Sequence, residues 1–356
     1  MKRFLPYFFL FMLISFVSCK HSNNSNAETQ QDNDSIKAIT VAQFKGQQVT
    51  GVSVSSSGRI FANFPRWRPH VKHAVVEVSE NGTAIPYPNA QWNSWNTQQE
   101  VQDSVFVAVQ SVIAHRNKLY VLDTRNPLWQ GVIDAPRIYV FNLSDNSLDR
   151  ILKLDTSSYK ANSYTNDLRI DDTNNAIFIT DSNEGAIIVY DLNSNTSKRV
   201  LDQHPSVLAE TGQLNFKNKT WKNTVHSDGI ALNISNNRLY YHSLTGYTLY
   251  SAPTSVLVNG SETAIANAVK KEAITGAPDG MIFDENQNLY LADLKQQKID
   301  VLSPEGKLST FFKSDAVKWA DTFSIYNGYL FYTNSRIDEV EGDISNMIFT
   351  INKIKL

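Results

Sequence analysis

Cysteine is almost missing from this chain of 356 residues, in which Cys19 is the only thiol. A body without further cysteines has no disulfide, so a closed fold must be held by strand pairing and packing. Lys and Arg form no basic stripe and the formal net charge is −2, which argues against nucleic acid as a partner. The sequence also lacks a Gly-rich phosphate loop, a Cys/His zinc spacing and a Gly-x-Ser-x-Gly elbow.

A repeated phrase is the strongest pattern that the sequence does contain. In four copies an aspartate stands at the start of a short apolar run, and a second apolar run follows about ten residues later. Two further copies, near Thr50 and Gln110, have no aspartate at this point. The four aspartates are Asp167, Asp228, Asp279 and Asp321.

Six copies at spacings of roughly 40 to 60 residues predict an all-β fold, a six-bladed β-propeller over residues 39–356. Helical periodicity is scarce, and its best candidate, residues 263–271, is interpreted as an insertion between blades. Pairing between the first and last blades is expected to close the ring. Closure would then bring residues 49–61 and 347–356 into one blade.

The first strand of each blade lines the axis of a propeller. The repeats therefore predict a ring of equivalent residues: Thr50, Gln110, Asp167, Asp228, Asp279 and Asp321. Four carboxylates in a narrow space raise one another's pKa values and require a counter-charge, which Ca²⁺, Mg²⁺ or an organic ammonium group would supply. The alternative is that each aspartate caps its own turn by accepting backbone N–H groups.

The N-terminal residues differ from the repeats. Residues 1–19 have a basic start and an apolar stretch, the pattern of a signal peptide, and they end in Ser18-Cys19, which resembles a bacterial lipobox. We therefore expect an exported protein of the bacterial cell envelope, anchored to the membrane only by lipid on Cys19. The polar residues 20–38 are expected to form a disordered tether. The alternative is an ordinary signal peptide whose cysteine is removed with it.

Several phrases resemble the yellow / major royal jelly protein family. The most specific are Pro65-Arg66-Trp67 and Ser227-Asp228-Gly229, and the likeness runs from about residue 49 to the C-terminus. The resemblance implies a six-bladed propeller, export and, as in some insect members, binding of small amines in the central cavity. It implies no particular reaction.

A second likeness is to the senescence-marker-protein / gluconolactonase propellers. Pro278-Asp279-Gly280 and Asn166-Asp167 are similar to phrases of that family, whose members hold a divalent cation in the tunnel. This resemblance implies Asn166, Asp228 and Asp279 as ligands of Ca²⁺ or Mg²⁺. Two positions differ, because the first blade has Thr50-Gly51 without a glutamate and Asp228 stands where the family has asparagine.

Three functions follow from these patterns. The first is binding of a small cationic or aromatic ligand by Gln110, Asn166, Asp167, Asp228, Asp279 and Asp321. The second is a metal-dependent hydrolase of lactones or similar esters, with Asp279 and His226 as catalytic candidates. The third is a scaffold that holds another envelope protein. An aromatic wall is expected from among Trp67, Trp92, Trp95, Trp129 and Trp319, and Arg66 and Arg169 could hold a carboxylate or pair with the aspartates.

Overall fold

A computed structural model describes residues 1–2 and 36–356. Cys19, the predicted signal peptide and most of the predicted tether lie outside the described residues. In the described part, six antiparallel sheets of four strands each are arranged as the blades of a β-propeller, which confirms the predicted fold class. No helix in the described part of the chain is both long enough and apolar enough to cross a membrane.

The strands follow one another along the chain, and the connections inside the blades range from short turns to longer loops. In chain order they are β1 Ile39–Lys45, β2 Gly51–Val54, β3 Ile60–Asn63, β4 Val75–Val78, β5 Ala84–Pro86, β6 Val109–His115, β7 Lys118–Asp123, β8 Arg137–Asn142, β9 Leu148–Lys153, β10 Thr165–Asp171, β11 Ala176–Asp181, β12 Ala186–Asp191, β13 Thr196–Val200, β14 Gln213–Asn215, β15 Thr220–Lys222, β16 Ser227–Asn233, β17 Arg238–Ser243, β18 Thr248–Pro253, β19 Lys270–Ile274, β20 Met281–Phe283, β21 Leu289–Asp293, β22 Lys298–Leu302, β23 Leu308–Lys313, β24 Ala320–Tyr326, β25 Tyr329–Asn334 and β26 Ile348–Lys355. Blades one to five are β2–β5, β6–β9, β10–β13, β16–β19 and β20–β23.

The sixth blade closes the ring with a strand from the beginning of the domain. Its order is β24, β25, β26 and then β1, with Phe44 opposite Phe349. The expectation that residues 49–61 share a blade with residues 347–356 is wrong, because β2 and β3 instead begin blade one. The first repeat phrase starts after β1, so a search for the phrase could not find the closing strand.

The alternation of side chains along each strand explains how the blades pack. In β11, Ala176 and Phe178 belong to the apolar cluster shared with blade four, whereas Ile177 and Ile179 belong to the cluster shared with blade two. Because successive side chains point to opposite faces, a strand covered on both faces reads as a continuous apolar run. Among the described residues, one such cluster lies between each pair of neighbouring blades.

Several insertions depart from the blade pattern. The hairpin β14–β15 lies between blades three and four, and two short helices, α1 (Thr254–Asn259) and α2 (Glu262–Ala268), connect β18 to β19. The helical run therefore lies inside blade four and not between blades as we expected. Single 3-10 turns occur at Pro127–Trp129 and Ile337–Glu339.

Candidate functional site

Four residues of the predicted ring, Gln110, Asp167, Asp228 and Asp321, lie at β-bulges of the innermost strands, whereas Asp279 and Thr50 lie just before their strands. In blade three Thr165 pairs with Asp181 and Leu168 with Ile179, so that Asn166 and Asp167 together lie opposite the single residue Thr180. The same interruption leaves Asp228-Gly229 unpaired in blade four, Asp321-Thr322 in blade six and Gln110 in blade two. Bulges turn side chains out of the regular alternation, and here they occur where the strands meet the axis.

The bulges correct the predicted ring at one position. Asn166 is the first residue of its bulge, as Asp228 and Asp321 are of theirs, whereas Asp167 is the second and corresponds to Gly229 and Thr322. The sequence comparison aligned Asp167 with the other aspartates because their residue type is the same. Strand register instead makes Asn166 their equivalent.

A cavity of about 410 Å³ opens at this end of the axis. Its innermost residues are Gln110, Asn166, Asp228, Asp279 and Asp321. A much smaller space of about 10 Å³ continues along the axis, and Ser111, Asp167, Gly229 and Thr322 border only this smaller space. The ring thus has two layers. The acidic floor is our name for the three aspartates that face the cavity, Asp228, Asp279 and Asp321.

Thr50 does not contribute to either layer. It is buried in blade one, where its hydroxyl accepts a hydrogen bond from Asn63 Nδ2 at 3.1 Å. Thr50 is not among the residues that line the two axial spaces.

Burial and mutual repulsion raise the pKa values of all three floor carboxyl groups. For Asp228 burial is the larger cause and the charge of Asp167 the smaller, and together they raise the pKa to about 8, although a hydrogen bond from Asn166 opposes the shift. The pKa of Asp279 lies well above its ordinary range because of burial and then the charges of Asp321 and Asp228. Burial and then the charge of Asp228 do the same for the pKa of Asp321. With a pKa of about 8, Asp228 holds a proton at neutral pH, and the raised pKa values of Asp279 and Asp321 favour their protonated forms as well.

Asp167, in contrast, has its counter-charge within the protein. Its carboxylate accepts hydrogen bonds from Arg169 Nη1 at 2.8 Å and from the hydroxyl of Ser111 at 2.6 Å. Arg169 also donates to the carbonyl of Met281 in blade five, so its side chain bridges two blades near the axis. Within the described part of the chain, no Lys or Arg forms an ion pair with a floor carboxylate.

Turn capping does not explain the acidic floor. Asp167 accepts a hydrogen bond from the following backbone N–H, that of Leu168, at 2.8 Å. Asp279 instead accepts from the indole of Trp319, and Asp321 from the hydroxyl of Thr322 at 3.4 Å. No backbone N–H of the described residues donates to a floor carboxylate, and Asp167 accepts from the adjacent N–H and not from the one two residues on, so none of the four aspartates forms an Asx-turn in the described part of the chain.

One wall of the cavity is a stack of three aromatic rings. Trp129 lies on Tyr164 with ring centroids 3.8 Å apart, and Trp67 lies on Trp129 at 5.9 Å. Hydrogen bonds link this wall to the ring, since Trp67 Nε1 donates to the Tyr164 hydroxyl at 2.5 Å and that hydroxyl donates to Gln110 Oε1 at 2.8 Å. Gln110 in turn donates to Asn166 Oδ1 at 2.8 Å. These bonds fix the orientation of the wall relative to the acidic floor.

A second aromatic wall is formed by Trp319 and Trp221. Trp319 is fully buried, and Trp221 packs edge-on against it with centroids 5.2 Å apart. The sequence analysis missed Tyr164, although it opens one of the repeated phrases, and Trp221. Trp221 lies on the β14–β15 hairpin, outside the repeats, where no repeated pattern could have indicated it.

The remaining tryptophans of the predicted wall belong to the protein core. Trp92 packs against Phe106, Tyr139 and Phe141, and Trp95 is buried beneath the guanidinium of Arg66. Neither lines the cavity.

Two other candidates make local contacts outside the cavity. His226 Nδ1 accepts the backbone N–H of Ala209 at 2.9 Å, and burial lowers the pKa of this imidazole. Arg66 donates to the carbonyl of Val107 at 2.7 Å and does not pair with the ring aspartates. Neither residue lines the cavity, so the structure does not bring His226 together with Asp279.

The ligand set implied for a divalent cation is only partly matched. Asn166, Asp228 and Asp279 border the same space, but Asn166 Oδ1 already accepts from Gln110 and Asp279 from Trp319. The first blade offers the buried Thr50 in place of a glutamate. In residues 1–2 and 36–356, no group of three or more His, Cys, Asp or Glu is placed to hold a metal ion.

Comparisons with solved structures support the fold. A luciferin-regenerating enzyme is similar with a TM-score of 0.58 at 12% identity, over 90% of this chain and 95% of that one. A gluconolactonase from Xanthomonas campestris has a TM-score of 0.57 at 13% identity, over 90% of both chains. A protein of unknown function from Bacteroides thetaiotaomicron also reaches 0.57, at 10% identity, over 90% of this chain and 76% of that one. At such identities the likeness shows the fold alone.

The family is shown by sequence. No curated protein matches the chain. The model of the family described as major royal jelly protein matches residues 107–343, which is more than half of the chain. The match includes blades two to five and the strands β24 and β25, and therefore the whole acidic floor. The chain thus belongs to the major royal jelly protein family.

Proposed function

We propose that this protein binds a small organic cation with an aromatic group in the central cavity of its propeller. The observation that carries the proposal is the acidic floor, three carboxyl groups without a Lys or Arg partner among the described residues. A protonated amine would supply the missing counter-charge. Asp167 serves as an internal comparison, because the protein itself neutralises that carboxylate with Arg169.

The walls favour an aromatic ligand over a simple aliphatic amine. Trp67, Trp129 and Trp221 offer ring faces or edges to the cavity, and aromatic rings attract both other rings and cations. The volume of about 410 Å³ is in the range of roughly 300–1,000 Å³ that is typical of small-molecule sites. Tryptamine, with one ammonium group and one indole, is a suitable probe.

Ligand binding in this proposal exchanges a proton for a cation. The floor holds protons when it is empty because its pKa values are raised. An ammonium group stabilises the ionised form, so binding releases protons and tightens as the pH rises toward the pKa of Asp228. A neutral aromatic ligand would not show this dependence.

The proposed place of action is the bacterial cell envelope. The lipobox-like Ser18-Cys19 supports a lipid anchor, and the polar residues 20–38 would tether the propeller to the membrane. In this setting the protein would capture an amine outside the cytoplasm. The scaffold hypothesis, with a second envelope protein as the partner, predicts no ligand in the cavity.

The second candidate is a Ca²⁺- or Mg²⁺-dependent hydrolase of lactones or esters. It is favoured by the convergence of Asn166, Asp228 and Asp279 on one narrow space. It is disfavoured by Thr50 in the first blade and by the hydrogen bonds that Asn166 and Asp279 already make. An ammonium group needs no particular number of oxygen ligands, so the floor fits it better than a divalent cation.

Thermal unfolding distinguishes these candidates. We expect tryptamine to raise the melting temperature, because saturation at 100 times the Kd stabilises a folded protein by about 2.7 kcal/mol. EDTA is expected to change nothing. A shift with Ca²⁺ or Mg²⁺, together with turnover of a lactone, would favour the hydrolase instead, and no shift with any amine would end the proposal.

A further inference from the structure

The cavity wall carries one guanidinium group that lacks a carboxylate partner. Arg68 lines the cavity together with the acidic floor and is half-buried. Of the other arginines considered for the site, Arg66 donates to a backbone carbonyl in the core and Arg169 pairs with Asp167. Arg68 forms no ion pair with any Asp or Glu of residues 36–356.

Arg68 is nevertheless held in place. Its Nη1 donates to Gln48 Oε1 at 2.7 Å, and Gln48 is itself buried and donates to the carbonyl of Ser335 at 2.8 Å. A guanidinium has five N–H donors, and this one uses a single donor on a protein acceptor within the described residues. The remaining donors are available for a planar anion such as a carboxylate, which guanidinium binds with two parallel hydrogen bonds.

The acidic floor does not act as the counter-charge of Arg68. Burial alone lowers the pKa of this guanidinium, with no opposing effect of a nearby carboxylate. Arg68 and the acidic floor line the same cavity without forming an ion pair, so the lining offers a basic position and an acidic position, and Trp67 and Trp129 belong to the same lining. Arg68 also borders a second space of about 420 Å³ between blades six and one, so its guanidinium can be reached from two sides.

We propose that the ligand is an aromatic zwitterion with its two charges at opposite ends, as in a short peptide that begins with an aromatic residue. Its ammonium group would lie on the acidic floor, its ring between the aromatic walls, and its carboxylate on Arg68. The proposal rests on the proposed function and adds the anionic end of the ligand. A free amino acid, whose charges are adjacent, is therefore the comparison that tests whether the two positions lie apart.

Four probes separate the contributions of the two charges. Tryptamine has only the ammonium group, and L-tryptophan has adjacent charges. The dipeptide Trp-Gly has separated charges, and its C-terminal amide lacks the carboxylate. We expect the wild-type protein to bind Trp-Gly about 10-fold more tightly than the amide, the effect of one charge-assisted hydrogen-bonded pair. L-tryptophan should show a much smaller gain over tryptamine, which lacks only its carboxylate.

The variants Arg68→Gln and Arg68→Lys test whether Arg68 causes the preference for Trp-Gly over its amide. Arg68→Gln should abolish the preference for Trp-Gly over its amide without weakening tryptamine, and Arg68→Lys should restore part of it. Arg116→Gln is the matched control, because Arg116 is exposed and lies outside the cavity lining. Unfolding curves confirm that each variant is folded before titration calorimetry is performed.

The outcomes distinguish this inference from the function on which it rests. If tryptamine binds and Trp-Gly binds no more tightly than its amide, the proposal of a zwitterionic ligand is wrong and the proposal of amine binding stands. Equal loss of Trp-Gly and amide binding in Arg68→Gln would also overturn it, as would a full gain for L-tryptophan. If the wild type binds none of the four probes, both proposals fail.

Discussion

Trp319 donates its indole N–H to the carboxylate of Asp279 at 2.6 Å, which joins an aromatic wall of the cavity directly to its acidic floor. Both residues are buried, and the hydrogen bond is the one polar contact that partly offsets the burial of Asp279. A hydrogen bond to the ionised form lowers the pKa of a carboxyl group. Trp319 therefore shapes the cavity and also tunes the charge of its floor.

Replacement of this indole should affect both stability and binding. Trp319→Phe removes the donor and leaves a buried polar group without its partner, which costs about 1–3 kcal/mol in the free energy of unfolding. The pKa of Asp279 should rise further, so tryptamine should bind more weakly at neutral pH. Chemical denaturation and titration calorimetry measure the two effects.

A control variant separates loss of packing from loss of the hydrogen bond. Trp92 packs among aromatic rings of the core and does not line the cavity. Trp92→Phe should lower the free energy of unfolding with little change in tryptamine affinity. Equal weakening of binding in both variants would show that Trp319 acts only through general stability.

Closure of the propeller depends on β1. This strand covers the edge of β26, and Phe44 packs in the apolar cluster between blades six and one. A chain that begins after Lys45 would expose the edge of β26 and open that cluster, and exposed edges promote aggregation. We expect such a truncation to be insoluble or to lose cooperative unfolding.

The matched control begins at residue 38. It keeps β1 and every other strand of the described blades, so its melting temperature should equal that of the longer chain. Circular dichroism with thermal melts suffices for the comparison. A soluble, cooperatively folded chain that lacks β1 would contradict the role assigned to this strand.

Lipid attachment at Cys19 remains a prediction of the sequence. Expressed in a bacterium, the wild-type chain should fractionate with membranes and incorporate a labelled fatty acid, because Cys19 is the only thiol and follows a small residue. Cys19→Ala should lose the label and leave the membrane fraction or stay unprocessed. Ser18→Ala keeps a small residue before the cysteine and serves as the control. Absence of label from the wild type would refute the anchor.

The sequence was most informative where the structure repeats. Short apolar runs within a recurring phrase predict blades because every blade packs against two neighbours in the same way. The six predicted second strands correspond to β3, β7, β11, β17, β21 and β25. What lies outside the repeat was missed for the same reason. The closing strand β1 precedes the first phrase, and Trp221 lies on an inserted hairpin.

The site shows a different limit of sequence reasoning. Residue type suggested that Asp167 belongs with the other aspartates, but it is the second residue of its bulge, and the first, Asn166, is equivalent to Asp228. Arg68 differs from the other arginines of the region only in its contacts. Arg169 pairs with Asp167 and Arg66 donates to a backbone carbonyl, whereas Arg68 forms no ion pair with the described residues. Such distinctions come from strand register and three-dimensional partners, which the order of residues alone does not contain.

The pH dependence of stability provides a test of the floor itself. The pKa of Asp228 is raised to about 8 in the folded protein, whereas an unfolded aspartate titrates near its ordinary pKa of about 4. Between these values the folded state binds a proton that the unfolded state lacks. The free energy of unfolding of the empty protein therefore decreases as the pH rises from about 4 to about 8, and the loss is complete above that range.

Asp228→Asn should flatten this dependence. The amide carries no charge at any pH, so the variant should match the wild type near pH 4 and be more stable at pH 8.5, where it relieves repulsion within the floor. It should also lose most of the stabilisation by tryptamine. Asp315→Asn, an exposed aspartate, serves as the control and should follow the wild type.

Proton release on binding completes this prediction. Tryptamine titrated at pH 7 in buffers of different ionisation enthalpy should show that protons leave the wild-type protein, and fewer should leave Asp228→Asn. The affinity of the wild type should rise between pH 6 and about 8, because ionising the floor then costs less free energy. Affinity that is independent of pH, with no proton release, would mean that the floor is already ionised when empty or does not contact the amine.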